Sequence, residues 1–446
     1  MNKKIIYLVA AVVFLGVTAF VVLRSKGELK NKVVAFYPLK ERKGQLAQAM
    51  EWASTKEKGE KLIRIVRETP TDTKSALGLA TLYIQEGRAT GDYTYYDEAA
   101  MHYIDEVLKA EPQNFEALML KAVVQLSQHH FTEGLQTAQQ AKDINPYNAY
   151  VYGLITDGNV ETGNYKAAVE SCDKMVSIRP DLRSYSRISY LREIHGDLPG
   201  AIEAMKEAVK AGYPGEEGTE WARIQLAHLY EAVGDAKAAE MHYTIALQER
   251  PGYVHAVAGL GNIAVANKDY AKALSLYRQA DTLLSDYSFK EREAEVYLLT
   301  GQKEQAAALL DNIVKTLTTA AAEGESGAGH HVDKELAYVY LLKGQAGKAF
   351  DHAEAEYKRR PKNIDVSEAV AWALAADNDA VKALPYLTAA LSTGSKSPAL
   401  LCRAGIIYNK AGDKVKAKEY LTEGLKSNPC VDPLLLQESR NVLTSL

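Results

Sequence analysis

The chain has 446 residues, 47% of them apolar and 25% charged, with a formal net charge of -4. A single hydrophobic core rarely grows past about 250–300 residues, so one globular unit is excluded in favour of several domains or a repeat array whose core extends in one dimension. The charge is divided, with residues 1–43 carrying a local +7 and the remainder a local -11. An acidic folded part does not suit a phosphate backbone, and nucleic acid is not an expected partner.

Residues 1–4 form a charged tip, and Ile5 to Leu23 follow as a run of 19 residues without charge. At 1.5 Å per residue such a helix reaches about 28 Å, enough to cross a bilayer core. The apolar stretch is longer than that of a cleaved signal and lacks a small-x-small site, so residues 5–23 read as an uncleaved transmembrane anchor. A charged tip leading directly into an apolar run resembles an export signal and places the bulk of the chain outside the cytoplasm. The positive-inside count points the other way, because more Lys and Arg follow the run than precede it. The reading adopted is a single-pass anchor in a bacterial cytoplasmic membrane, with the rest of the chain extracytoplasmic. Residues 24–72 read as a basic linker and one or two lead-in helices.

From there the prolines set a period. Pro112, Pro146, Pro180 and Pro214 are each 34 residues apart, and Pro251, Pro361 and Pro429 continue the series with slips. The excess between Pro251 and Pro361 falls at residues 320–331, the Gly-rich AAAEGESGAGHH. Each period reads as helix, turn, helix. In the unit from Tyr253, Leu260, Gly261 and Ala264 share one side of a first helix. Asn267, Lys268 and Asp269 form the turn, and Tyr270, Ala273, Leu276, Tyr277 and Ala280 recur at spacings of three and four, the signature of one apolar face. Small residues mark helix crossings, Gly accepts the left-handed conformation that ends a helix, and Pro closes the unit. The seventh unit has a long second helix, and residues 86–96 read as an insertion between the helices of the first.

This pattern resembles the tetratricopeptide repeat. Its small residue at unit position 20 is matched by Ala168, Ala201, Ala239, Ala273, Ala306, Ala349, Ala383 and Ala417. About ten units in phase over residues 73–431 imply an all-α, right-handed superhelical solenoid, closed by a capping helix at 432–446. The stretch from Ser184 to Pro214 is also similar to a widespread class of bacterial membrane-anchored tetratricopeptide proteins. The resemblance implies a concave groove lined by first helices, which bind a protein or peptide. Carried over position by position, the candidate groove residues are Arg183, Arg187 and Tyr190 in unit 4, Trp221 and His228 in unit 5, and His255 and Asn262 in unit 6. Glu291, Glu295 and Lys334 follow, then Tyr338 in unit 8 and Glu368 and Trp372 in unit 9. Arg183 and Arg187 share a helix face and suit a carboxylate, and Trp221 and Trp372 are expected as exposed anchors. A Lys–Asn clamp for C-terminal carboxylates is absent: the equivalent positions hold Ser186, Tyr190, Ile224, His228, Ala258 and Asn262.

No chemistry competes with this reading. HExxH, Walker, GxSxG and GxGxxG motifs are absent, and no catalytic residue, cofactor, metal site or small-molecule substrate is expected. Cys172, Cys402 and Cys430 form neither a CxxC nor an even framework, and Cys172 is expected to be packed. His129–His130 and His330–His331 are adjacent pairs, and neighbouring helical side chains diverge by about 100° and cannot face one ion. Twenty-seven Tyr against 7 Phe call for many half-buried rings with a wet hydroxyl. The expected function is a membrane-tethered scaffold without catalysis that binds in its groove. The alternative is a structural subunit of a membrane-associated assembly that uses its outer surface.

Overall fold

The turn inside each repeat has two physical jobs, divided between a glycine and the polar residue after it. Gly163, Gly196, Gly234, Gly301, Gly344 and Gly412 sit at φ between +67 and +89°, where a Cβ is strained. After Gly196, Gly234 and Gly412 the next residue is an Asp that caps the second helix. Asp197 accepts from the Gly200 amide, Asp235 from Ala238 and Asp413 from Lys416, each satisfying an otherwise orphaned donor. In three units a non-glycine residue takes the left-handed position: His129, Lys268 and Asn378. Asp269, after Lys268, still caps by accepting from the Lys272 amide.

The computed structural model describes residues 37–446 apart from 43–45, 48–50, 285, 323–329 and 428. The expected anchor at 5–23 lies outside the described residues. Among those described, no helix is long and apolar enough to cross a membrane, and all regular structure is helical.

A lead-in helix, α1 (Trp52–Glu68), precedes ten helix pairs. They are Thr73–Thr90 with Tyr93–Ala110, Phe115–Ser127 with Phe131–Ile144, Ala149–Glu161 with Tyr165–Ile178, Leu182–Ile194 with Leu198–Lys210, and Glu217–Ala232 with Ala236–Glu249. Units 6 to 10 are Val254–Ala266 with Tyr270–Leu283, Tyr287–Leu299 with Lys303–Ala322, Asp333–Leu342 with Ala346–Arg359, Ile364–Ala376 with Ala380–Ala390, and Pro398–Lys410 with Lys414–Leu425. The cap is Pro433–Ser445. The supposed insertion at 86–96 is not between the helices of unit 1. It lengthens both, and the turn is only Gly91–Asp92, with Gly91 left-handed.

Packing follows the small residues. The in-phase alanines Ala168, Ala201, Ala239, Ala273, Ala306, Ala349, Ala383 and Ala417 have no exposed surface. A Cβ at Gly259 would lie 2.2 Å from Cε1 of Tyr243, and one at Gly261 2.5 Å from Cε1 of Tyr277, so each glycine is the socket for a tyrosine of a second helix. The tyrosines are therefore more deeply placed than composition suggested: Tyr83, Tyr96, Tyr243 and Tyr277 are among the largest fully buried side chains. In unit 1 their hydroxyls bind an extended segment. Tyr83 Oη donates to the Tyr37 carbonyl, Tyr95 Oη to the Pro38 carbonyl (2.5 Å), and the Lys40 amide donates to Tyr96 Oη (3.3 Å).

First helices of most neighbouring units touch one another directly, whereas second helices make no comparable contact among the described residues. The first helices therefore lie on the inside of the curve. The curvature is tight enough that the array returns upon itself after about six units. The Cys430 amide reaches the Glu231 carbonyl at 2.9 Å, Arg250 Nη2 reaches Glu51 at 2.8 Å, and the Ile364 amide reaches Tyr165 Oη at 2.8 Å. Each partner is 199 residues away. Gly196 lies against the Gly394 carbonyl and Gly163 against the Lys362 carbonyl in the same way.

Two outcomes are expected. Gly259→Ala gains about 1 kcal/mol of helix propensity but must displace the Tyr243 ring, an overpacking cost of roughly 1–3 kcal/mol or more. Urea denaturation should show a net loss, with a larger one for Ala273→Trp or Ala417→Trp. Deleting 432–446 uncovers the surface that Leu435 and Leu436 bury, and light scattering should then report aggregation at a concentration where the full chain stays dispersed.

Candidate binding surface on the inner face

Position along a first helix decides which side chain points inward, because residues seven apart share a face. Arg183 and Tyr190 form one such pair and Trp221 and His228 the next. The structure separates the sequence candidates into two groups.

The first group is taken up by partners within the chain. Arg187, expected to be free for a ligand, is bidentate with Asp157 (2.8 Å from Nε, 2.5 Å from Nη2) and also donates to the carbonyls of Gly153 and Arg183. Asn262 accepts from Tyr277 Oη at 2.9 Å. Tyr338 carries the Arg403 guanidinium over its ring at 5.1 Å, and Arg403 also binds Glu368 (2.7 Å) and Asp432 (3.0 Å). Glu295 pairs with Arg292. His255 is edge-on to Tyr253 and tilted against Phe289. Trp372 is not an exposed anchor. It packs between the core of units 8–10 and the cluster under the cap, because the cap gives its indole an apolar cover that repeat phase does not reveal.

The second group stays open. Tyr190 and Trp221 keep 39% and 36% of their surface exposed. Arg183 is exposed and stacks on Tyr150, its guanidinium carbon 4.7 Å from the ring centre. His228 is exposed and lies edge-on to Tyr243. Water touches its ring, yet the wall around it removes most bulk solvent. That desolvation, helped by Arg292 and His255, holds the imidazole down at about 4. Nearby carboxyls move the other way. Burial, then Asp365, raises Glu193 to about 7, and burial, then Glu295, raises Glu291 to about 7. The inner face is thus a partly dehydrated surface with two open aromatics, one open guanidinium and weakened acids.

The contact between superhelical turns escaped sequence reading. Arg360 is buried, pairs with both Glu161 and Glu356, and stacks on Phe131 at 4.5 Å. Asn363 donates to the Glu161 carbonyl at 3.0 Å. The two histidine pairs also meet here. His130 and His331 stack with ring centres 4.3 Å apart, and His129 Nδ1 donates to the His331 carbonyl at 2.8 Å. Their only sequence signal was duplication. Asp333, two residues after His331, is occupied by His352 and Arg359. Among the described residues no group of three or more His, Cys, Asp or Glu is arranged to hold a metal ion. Cys172, Cys402 and Cys430 are free thiols, the first two buried.

Ten stacked helix pairs with small residues at their crossings and an inward first helix define an α-solenoid of the tetratricopeptide type. Residues 95–149 and 224–288 match the family model for the tetratricopeptide repeat, and the chain is a tetratricopeptide-repeat protein. No curated protein matches it. Among solved structures it is similar to a thermophilic TPR protein of Thermus thermophilus, at 20% identity and TM-score 0.37 over 45% of this chain and 98% of that one. It is similar to the human IFIT1 dimer with PPP-AAAA at 14% identity and TM-score 0.46, over 71% and 73% of the two chains. A tetratricopeptide repeat protein from Parabacteroides merdae gives 14% and 0.43, over 56% and 98%. At these scores the likeness says nothing about what any of the chains binds.

Truncating one partner of a buried ion pair strands the other charge, typically at 3–5 kcal/mol. Arg360→Ala, which takes the cation from Glu161 and leaves Glu356 with Arg359 alone, is expected to lower the unfolding free energy by about that amount or less. An unchanged denaturation midpoint would mean that the turns do not meet there.

Proposed function

We propose that the protein is a membrane-tethered scaffold that holds a protein or peptide partner against its inner face, in units 4 and 5, without catalysis. The observation that carries this reading is the pair of exposed rings, Tyr190 and Trp221, beside the open Arg183 and His228, on a face where Arg187, Asn262 and Tyr338 are taken up within the chain. Trp, Tyr and Arg dominate binding hot spots, and a solenoid does not need them exposed for stacking. Arg183 supplies the open charge. Because Arg187 is neutralised by Asp157, a carboxylate of the partner would meet Arg183.

The charge-free run at 5–23 supports the tether, and the export-like order of tip and run supports an extracytoplasmic array. Tyr37 is pinned on unit 1, so only residues 24–36 separate anchor from array. Fully extended, they reach about 45 Å, which keeps the N-terminal units near the bilayer. The alternative, a structural subunit that uses its outer surface, draws support from Val381 and Val415. They occupy equivalent places in units 9 and 10 and are 68% and 80% exposed.

The double substitution Arg183→Ala with Trp221→Ala is expected to reduce capture of the native partner from solubilised membranes by at least about thirtyfold, the loss of one hot spot of roughly 2 kcal/mol. Helicity and melting temperature should stay the same. Undiminished capture would move the binding to the outer surface.

A further inference from the structure

Four imidazoles from positions about 200 residues apart converge where unit 2 meets the segment leading into unit 8. His130 and His331 are parallel at 4.3 Å and 10°. His129 and His330 lie edge-on at 6.4 Å. Two backbone links join the same segments, His129 Nδ1 to the His331 carbonyl and the His331 amide to the Gln128 carbonyl at 3.2 Å. We propose that this four-histidine seam is a proton-operated clasp: protonating His330 and His331 separates the two superhelical turns and opens the inner face.

The surrounding charges decide whether imidazolium is tolerated. From unit 8, Asp333 is engaged by His352 (2.7 Å) and by Arg359, and Glu356 by Arg359 and Arg360. From unit 3, Glu161 is engaged by Arg360, and Lys334 adds another positive charge beside it. Unit 1 contributes Tyr93, edge-on to His330, and Asp97, whose Oδ2 is 3.9 Å from His330 Nε2. Among the described residues, Asp97 is therefore the carboxylate left to face the cluster, against four imidazoles and the nearby guanidinium of Arg359.

The sign follows from the bases. Burial, then the three other imidazoles, holds His330 at about 4, and burial, then Arg359, lowers His331. An open seam returns them toward about 6.5. A base depressed in the closed form contributes closure above its open-state pKa and loses it as pH falls from about 6.5 toward 4. Asp97 has the opposite sign, since burial raises it to about 7. However, Asp97 is already covered within its own turn, where Ser127 donates to it at 3.2 Å, so only part of its shift depends on closure. Once it binds its proton it no longer offsets imidazolium.

The test is a distance across the seam in the full-length chain in detergent. Nitroxide labels at the exposed positions of Thr132→Cys and Asp351→Cys, in a Cys430→Ser background, report by double electron–electron resonance. A second pair, Thr132→Cys with Asp173→Cys, stays within one turn. Between about pH 7.5 and 5, the range in which imidazole titrates, the cross-seam distance should lengthen and broaden while the control does not. His330→Gln with His331→Gln should hold the cross-seam distance constant over that range. Should that variant lose helicity at neutral pH, His330→Gln alone serves, and its opening should move to lower pH. A wild-type distance that ignores pH, or an equal change in a folded histidine variant, overturns the proposal.

Discussion

Everything distinctive about this molecule depends on the return of the chain upon itself after about six units. Stacking alone makes a solenoid, but stacking only brings each unit against its neighbours. Here Arg360 is buried between Glu161 and Glu356, the first from three units into the array and the second from its own helix. An ion pair of this kind is costly to desolvate and costly to break. It acts as a register device, because a superhelix wound slightly tighter or looser would strand these charges.

The return of the chain also changes what a concave surface means. In an open array every inward residue is a candidate for a ligand. In this one, the second turn and the cap supply partners first. Arg403 bridges Glu368 and Asp432, tying the start of the cap helix to the inner face of unit 9. Arg187 meets Asp157 in the neighbouring unit. What remains open is a short patch, and its groups are partly dehydrated. Desolvation strengthens each polar contact a partner can make there and penalises a charge that arrives without a counterpart. Such a surface discriminates by the placement of charge more than by area.

The local architecture was legible because it obeys local rules. Proline spacing, glycine turns and alanines in phase located ten units, and the helices fall where those residues place them. The exceptions are instructive. Residues 86–96 looked like an insertion, yet they continue the helical period, and only Gly91 breaks it. Trp372 looked exposed by analogy of position, but its environment comes from the cap. The meeting of His129 and His130 with His330 and His331 had no signal beyond two dipeptides. It depends on a small rotation per unit, summed over about six units. The partner of Tyr83 and Tyr95, the extended segment at 37–40, was likewise invisible, since its backbone carbonyls carry no sequence label.

Successive superhelical turns touch. Three backbone amides report on this contact directly, because each donates across it: His331 to Gln128, Ile364 to Tyr165 and Cys430 to Glu231. Two of them lie in linkers and one opens a helix, places where an amide ordinarily faces water and exchanges quickly. Residue-resolved hydrogen exchange at neutral pH should find all three protected to a degree comparable with helix interiors. Fast exchange at all three, with the helices themselves protected, would show an open solenoid whose turns do not meet.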